Sequence, residues 1–155
     1  MPYALPGLPE EEQSVLKQWL EQGARYTPRS PLLPEYLAQI KRWESFFNGD
    51  SLKKQLTSRY LFEHLYFAHL YFPHLDQRQF FKLVRSATPP GEPVQLIATR
   101  RPYDEPGVER VYYRLQPVLN TIVTKVHMPY RLDEQRMQRW QSLFVDANYA
   151  VEDLP

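Results

Sequence analysis

The chain has 155 residues, enough for an ordinary domain with its own core, and its 43% hydrophobic and 24% charged content is globular rather than disordered. A formal net charge of +1 excludes the broad basic footprint of a nucleic-acid binder, and the absence of cysteine excludes disulfides and thiolate chemistry. Fifteen prolines against five glycines call for short elements joined by stiff connectors, while 14% aromatics call for a bulky core, an apolar ligand site or a buried interface.

Residues 1–8 form a proline-rich lead-in without the basic stretch and apolar run of a signal peptide. A helix is predicted over residues 9–22. Pro9 suits its first position, Glu10, Glu11 and Glu12 complement the positive end of its dipole, and Val15, Leu16, Trp19 and Leu20 make one apolar face. Gly23 fits the left-handed residue that ends it. Pro28, Pro31 and Pro34 mark a connector. A second helix follows over 34–47 on the stripe Tyr36, Leu37, Ile40, Trp43, Phe46 and Phe47, stopped by Asn48-Gly49.

Ser51 is a candidate cap for a third helix reaching about residue 71. Its second half is apolar almost all round, which suits a buried central helix, or a surface that leans on lipid; thirteen residues with an internal Glu63 are too short to span a bilayer. Pro73 ends it. Beyond this point the pattern turns to strands, over 80–84, 94–98, 111–115 and 121–126, with the loop Thr88-Pro-Pro-Gly-Glu-Pro93 between the first two. Residues 132–144 return to helical spacing with Asp133 as cap. The fold class is therefore α+β, mostly helical with a small strand region in the C-terminal half.

His64, His69 and His74 are spaced by five, which turns a helix by about 140° per step, so they do not share a face as zinc-binding histidines do; no metal site is assigned. Glu63 is expected to pair with Arg59, four residues earlier. The stretch Ala98-Thr-Arg-Arg-Pro-Tyr-Asp-Glu-Pro-Gly107 sets Arg100, Arg101 and Tyr103 in a rigid loop. It reads either as a cradle for a carboxylate or phosphate, or as an internal ion-pair knot with Asp104 or Glu105. Arg110, Tyr112, Tyr113 and Arg114, followed by Lys125, His127 and Tyr130, are either a polar mouth above an apolar pocket or a solvated sheet face.

Two stretches carry resemblances. MPYALPGLPEEEQSVLKQWLEQGA, residues 1–24, resembles the end of a cytochrome c-like domain, which divides the chain at 25/26 and makes Met1 the candidate axial ligand of a heme. RYLFEHLYFAHLYF, FFKLVRSATPPGEPVQLIATRRPYDEPGVERVYYRLQPV and TIVTKVHMPYRLD resemble the bacterial fatty acid cis/trans isomerase family, so that residues 26–155 form the isomerase-family region. That resemblance implies a periplasmic enzyme turning cis double bonds to trans in membrane phospholipids or free unsaturated fatty acids. It also implies heme c. The C-x-x-C-H motif that attaches heme c is missing here, so the attaching cytochrome c-like segment is expected upstream of Met1, and the chain alone is expected to be inactive. Arg100, Arg101, Tyr103, Arg110, Tyr113 and His127 are the candidate substrate-binding residues. The alternative function is a non-catalytic lipid-contact or protein-interaction module that uses the aromatics between Tyr66 and Phe72.

Overall fold

The computed structural model describes residues 7–25, 31–75, 79–118 and 128–154. Contacts divide the chain into two compact units, Met1–Leu32 and Leu33–Pro155. The first contains α1 (Glu10–Glu21). Its three leading glutamates face the positive end of the helix, and Gly23 and Ala24 end it with φ of 84° and 49°. Trp19 donates its indole N–H to the Arg25 carbonyl at 3.0 Å, folding the tail back on the helix.

In the second unit, α2 (Pro34–Phe47) and α3 (Leu52–Leu65) lead into a mixed four-stranded sheet of β1 (His69–Tyr71), β2 (Phe81–Ser86), β3 (Tyr112–Pro117) and β4 (Pro129–Arg131). The order is β3-β2-β1-β4; β1 runs parallel to β4, and the other pairs are antiparallel. Helix α4 (Glu134–Trp140) closes the unit and runs on as a π-helical turn, Gln141–Val145. The fold is α+β, as the pattern of periods implies.

Start signals act as their chemistry requires. Pro34 opens α2, Ser51 accepts from the Lys54 N–H at 3.3 Å, and Asp133 accepts from the Arg136 N–H at 2.8 Å. The core is aromatic. Trp43 and Phe47 of α2 pack on Trp140, the Trp–Trp pair edge to face at 5.8 Å, and Tyr36 reaches Phe81 of β2 and Phe72. On the free side of β3, Glu44 of α2 and Asn48, the residue that caps its C-terminus, take the place of a neighbouring strand. Glu44 Oε1 accepts from the Leu115 N–H at 2.9 Å, and the Asn48 amide both accepts from and donates to the Tyr113 backbone at 2.8 Å.

Three expectations are corrected. The third helix stops at Leu65 rather than near residue 71, because His69, Leu70 and Tyr71 pair with β4 in parallel, and Leu70 with Phe81 of β2; sheet pairing overrides a helical spacing that the sequence carries equally well. Residues 94–98 make one bridge, Leu96 to Ser86, instead of a strand. The last helix is α-helical only over Glu134–Trp140. β4 was not anticipated; it begins on Pro129 at the sheet edge, the position where a strand tolerates proline. The strand expected over 121–126 lies outside the described residues.

Candidate functional site: an apolar groove walled by two cations

The sheet leaves a gap along β2. On the side away from β3, β1 meets β2 only at Phe81, and the segment after the proline loop meets it at the other end, where the Ala87 N–H donates to Gln95 O and Ile97 N–H to Arg85 O, both at 2.9 Å. A groove of about 380 Å³ opens here, within the roughly 300–1,000 Å³ of ordinary small-ligand sites. The end of α3 and its turn supply Phe62, Tyr66 and Phe67; β2 supplies Lys82, Leu83, Val84 and Arg85. The returning segment supplies residues 96–99, and Gln116 comes from β3. Phe62, Tyr66 and Phe67 are stacked edge to face in sequence, at 5.6 Å and 5.0 Å. Phe67 is 69% exposed and Leu96 52% exposed. The lining carries Lys82 and Arg85 and no carboxylate.

Arg85 is 5% exposed. One guanidinium NH₂ group donates to the Asp104 carbonyl at 2.9 Å, the other to the Thr99 hydroxyl, and the Phe62 ring lies 5.1 Å beneath. Its Nε–H is buried and has no acceptor, and no Asp or Glu among the described residues lies within ion-pair distance. Arg85 also lines a second cavity of about 160 Å³ with Arg59, Tyr113, Glu105 and Glu109. Arg85 thus belongs to the lining of both hollows.

Tyr113, opposite Arg85 in the β2–β3 register, is 6% exposed, and its ring meets Phe62 at 5.7 Å. Burial pushes its phenol up from 10 to about 12; the positive charges of Arg85, Arg59 and Arg110 pull the other way and lose. It therefore stays a neutral phenol at physiological pH.

The other residues singled out from sequence fall elsewhere. Arg100 is exposed. Arg101 is exposed as well; its backbone N–H donates to Asp104 Oδ2 at 2.9 Å and its guanidinium leans on Tyr103, 5.8 Å from the ring. Neither arginine lines the groove, and neither forms an ion pair with Asp104 or Glu105 among the described residues. Arg110 donates to the Gly49 carbonyl at 3.2 Å and rests against Tyr112. Arg59 and Glu63 pair at 3.1 Å as the spacing implies. Met1 and His127 lie outside the described residues. His64 stacks on Tyr60 at 3.9 Å, and among the described residues no three His, Asp or Glu side chains form a metal-binding group.

Lys82 and Arg85 were missed by the sequence reading. The signal was present: in Phe81-Lys-Leu-Val-Arg85 a period of two puts Arg85 on the same face as Phe81 and Leu83. An arginine in phase with the core residues of a strand is a cation taken into the interior.

An apolar groove with cations and no acids suits an amphiphile with a long hydrocarbon part. Over residues 1–155 the chain matches the family described as fatty acid cis/trans isomerase, and it belongs to that family. No functionally curated protein and no solved structure matches it.

Proposed function

We propose that the second unit is the acyl-chain-binding part of a heme-dependent enzyme that converts cis to trans double bonds in the unsaturated chains of membrane lipids or free fatty acids, in the periplasm. The observation that supports this is the groove: apolar, of small-ligand size, and lined by no acid that would repel a lipid anion.

The groove's own side chains suit binding better than bond rotation. Turning an unactivated C=C requires its π bond to be weakened for a moment, and lysine, arginine, threonine, glutamine and tyrosine have no means of doing that. Nor do the residues fit a covalently held heme c, because the chain has no cysteine to attach it, and the candidate ligand Met1 is outside the described residues. In this reading the heme, the source of one-electron or electrophilic chemistry, is carried outside residues 1–155, by a cytochrome c-like segment for which residues 1–25 would form the end. The chain's residues do the rest. Phe62, Leu83 and Ile97 exclude water from the chain, and the Tyr66–Phe67 turn presents an aromatic mouth to the lipid.

The test is groove filling. Ala98 lines the groove and is exposed, so Ala98→Trp occupies the space without disturbing the core. In the heme-loaded enzyme the variant is expected to lose most cis-to-trans conversion of oleate, read by gas chromatography of methyl esters, with heme content unchanged. Undiminished conversion would mean that the acyl chain binds elsewhere.

The exposed Phe67 favours one alternative, a lipid-contact module without catalysis. Vesicle binding abolished by Phe67→Asp, alongside unchanged conversion in the heme-loaded enzyme, would favour it.

A further inference from the structure

We infer that Arg85 is the carboxylate anchor of the groove, so that the preferred occupant is a single ionised acyl chain rather than an ester. This rests on the reading of the groove as an acyl site and adds to it the form in which the chain is bound.

Arginine stays protonated at any physiological pH, and a cation removed from water is costly unless something offsets its charge. Arg85 is removed from water, yet its direct partners are all neutral, a backbone carbonyl, a hydroxyl and the face of a benzene ring; Glu105 and Glu109 line its second cavity but form no ion pair with it. Each direct partner is a partial negative charge; none is an ion. The Nε–H donor is left with no acceptor, although a buried N–H without a partner is uncommon. The same fold shows what satisfied looks like. Arg114, 7% exposed on the neighbouring strand, has its ion pair with Glu44 at 2.9 Å and carbonyl acceptors besides. The missing counter-charge at Arg85 is therefore a property of that position.

The groove supplies the rest of the argument. A carboxylate is planar, accepts from two adjacent N–H donors of a guanidinium, and carries the charge that Arg85 lacks. Lys82 also belongs to the lining, but at odd spacing from Arg85 it projects from the other face of β2, so it adds positive potential rather than a second bond to the carboxylate. The hydrocarbon tail then runs over Phe62, Leu83 and Ile97. An ester, with no net charge, would leave Arg85 uncompensated. Reaching Nε requires the Thr99 and Asp104 contacts to give way, which places the anchor at the joint between the groove and the 98–107 loop.

The experiment uses this chain by itself and reads binding. Oleate, oleyl alcohol and methyl oleate share one tail and differ in charge. Intrinsic tryptophan fluorescence or calorimetry should show oleate binding about tenfold or more tightly than either neutral ligand, the scale of one charged hydrogen-bond pair. Arg85→Lys should retain part of the preference and Arg85→Gln should lose it. Lys82→Gln, at a half-buried position that leaves the core intact, should weaken oleate less than Arg85→Gln does and leave the neutral ligands unchanged. Equal affinity for the three ligands in the unmodified chain overturns the anchor while leaving the acyl groove standing. Binding of none of them overturns both. Inorganic phosphate, or vesicles of phosphatidylglycerol, competing with oleate more strongly than acetate does would assign the cation to a phospholipid headgroup and overturn the carboxylate claim.

Discussion

Two arginines on neighbouring strands lie almost equally deep, yet they have been treated differently by the fold. Arg114 reaches Glu44 on α2 and draws in the carbonyls of Pro89 and Glu92, so that helix, sheet and proline loop meet at one guanidinium. Arg85 has neutral partners only and an idle N–H. The first places its charge where the architecture needs a knot. The second keeps its charge where a hollow opens. Burial does not separate the two, since both are below one-tenth exposed. Completeness of partners does, and it marks structural cations off from those available to a ligand.

The largest effect should come from breaking the complete one. Glu44→Ala strands Arg114 without its counter-ion and removes the acceptor for the Leu115 N–H. Taking one partner from a buried pair costs about 3–5 kcal/mol. Urea unfolding should therefore show a large fall in midpoint with an unchanged slope. A loss under about 1 kcal/mol would place Arg114 among the exposed pairs that contribute little, and the contrast with Arg85 would lapse.

How much of this was readable beforehand follows from the range of the forces involved. Local signals were legible. The cap residues Ser51 and Asp133, the start at Pro34, the stop at Asn48-Gly49 and the Arg59–Glu63 pair all act within one helical turn of their own chain. What failed was set by partners distant in sequence. Residues 69–71 carry both helical spacing and good strand formers, and the choice falls to β2 and β4, the latter some sixty residues away. The groove was hidden for the same reason, since it exists only where β1 stops short and the 95–97 segment returns to β2. The conspicuous arginines, Arg100 and Arg101, drew attention by being adjacent and bracketed by proline. Arg85 was inconspicuous in an apolar run, although its phase along the strand gave it away.

Tyr113 sharpens the comparison electrostatically, because it faces Arg85 and its ionisation senses that charge. The folded phenol titrates at about 12, the unfolded one at 10. Between those values the unfolded state holds fewer protons, so stability falls as pH rises, by about 1.4 kcal/mol per pH unit for this group. Below pH 10 the contribution is constant and fully present. Urea midpoints should thus be flat to pH 10 and decline towards 12, with a shallower decline in Tyr113→Phe. Removing the neighbouring cation by Arg85→Met should move the Tyr113 ionisation, followed by tyrosinate absorbance, to still higher pH. A shift downward instead would mean that Arg85 does not act on the phenol as a cation.

The smallest effect is the one that separates the two arginines most sharply. If Arg85 were an architectural knot like Arg114, Arg85→Met should cost several kcal/mol, because it would strand whatever the guanidinium had satisfied. The partners it leaves behind are modest. The Asp104 carbonyl belongs to a half-buried loop residue, and the Thr99 hydroxyl already donates to the Arg101 carbonyl at 2.8 Å. Against those losses stands relief from an uncompensated buried charge and an idle N–H, and methionine keeps much of the apolar stem against Phe62. The expected change in stability is accordingly within about 1 kcal/mol of zero, with stabilisation as admissible as loss, because replacing buried charges by apolar groups of similar volume is often neutral or better. A loss comparable to that of Glu44→Ala, measured in the same urea series, would show that Arg85 holds the fold together as Arg114 does, and its unpaired charge would then need a structural account rather than a chemical one.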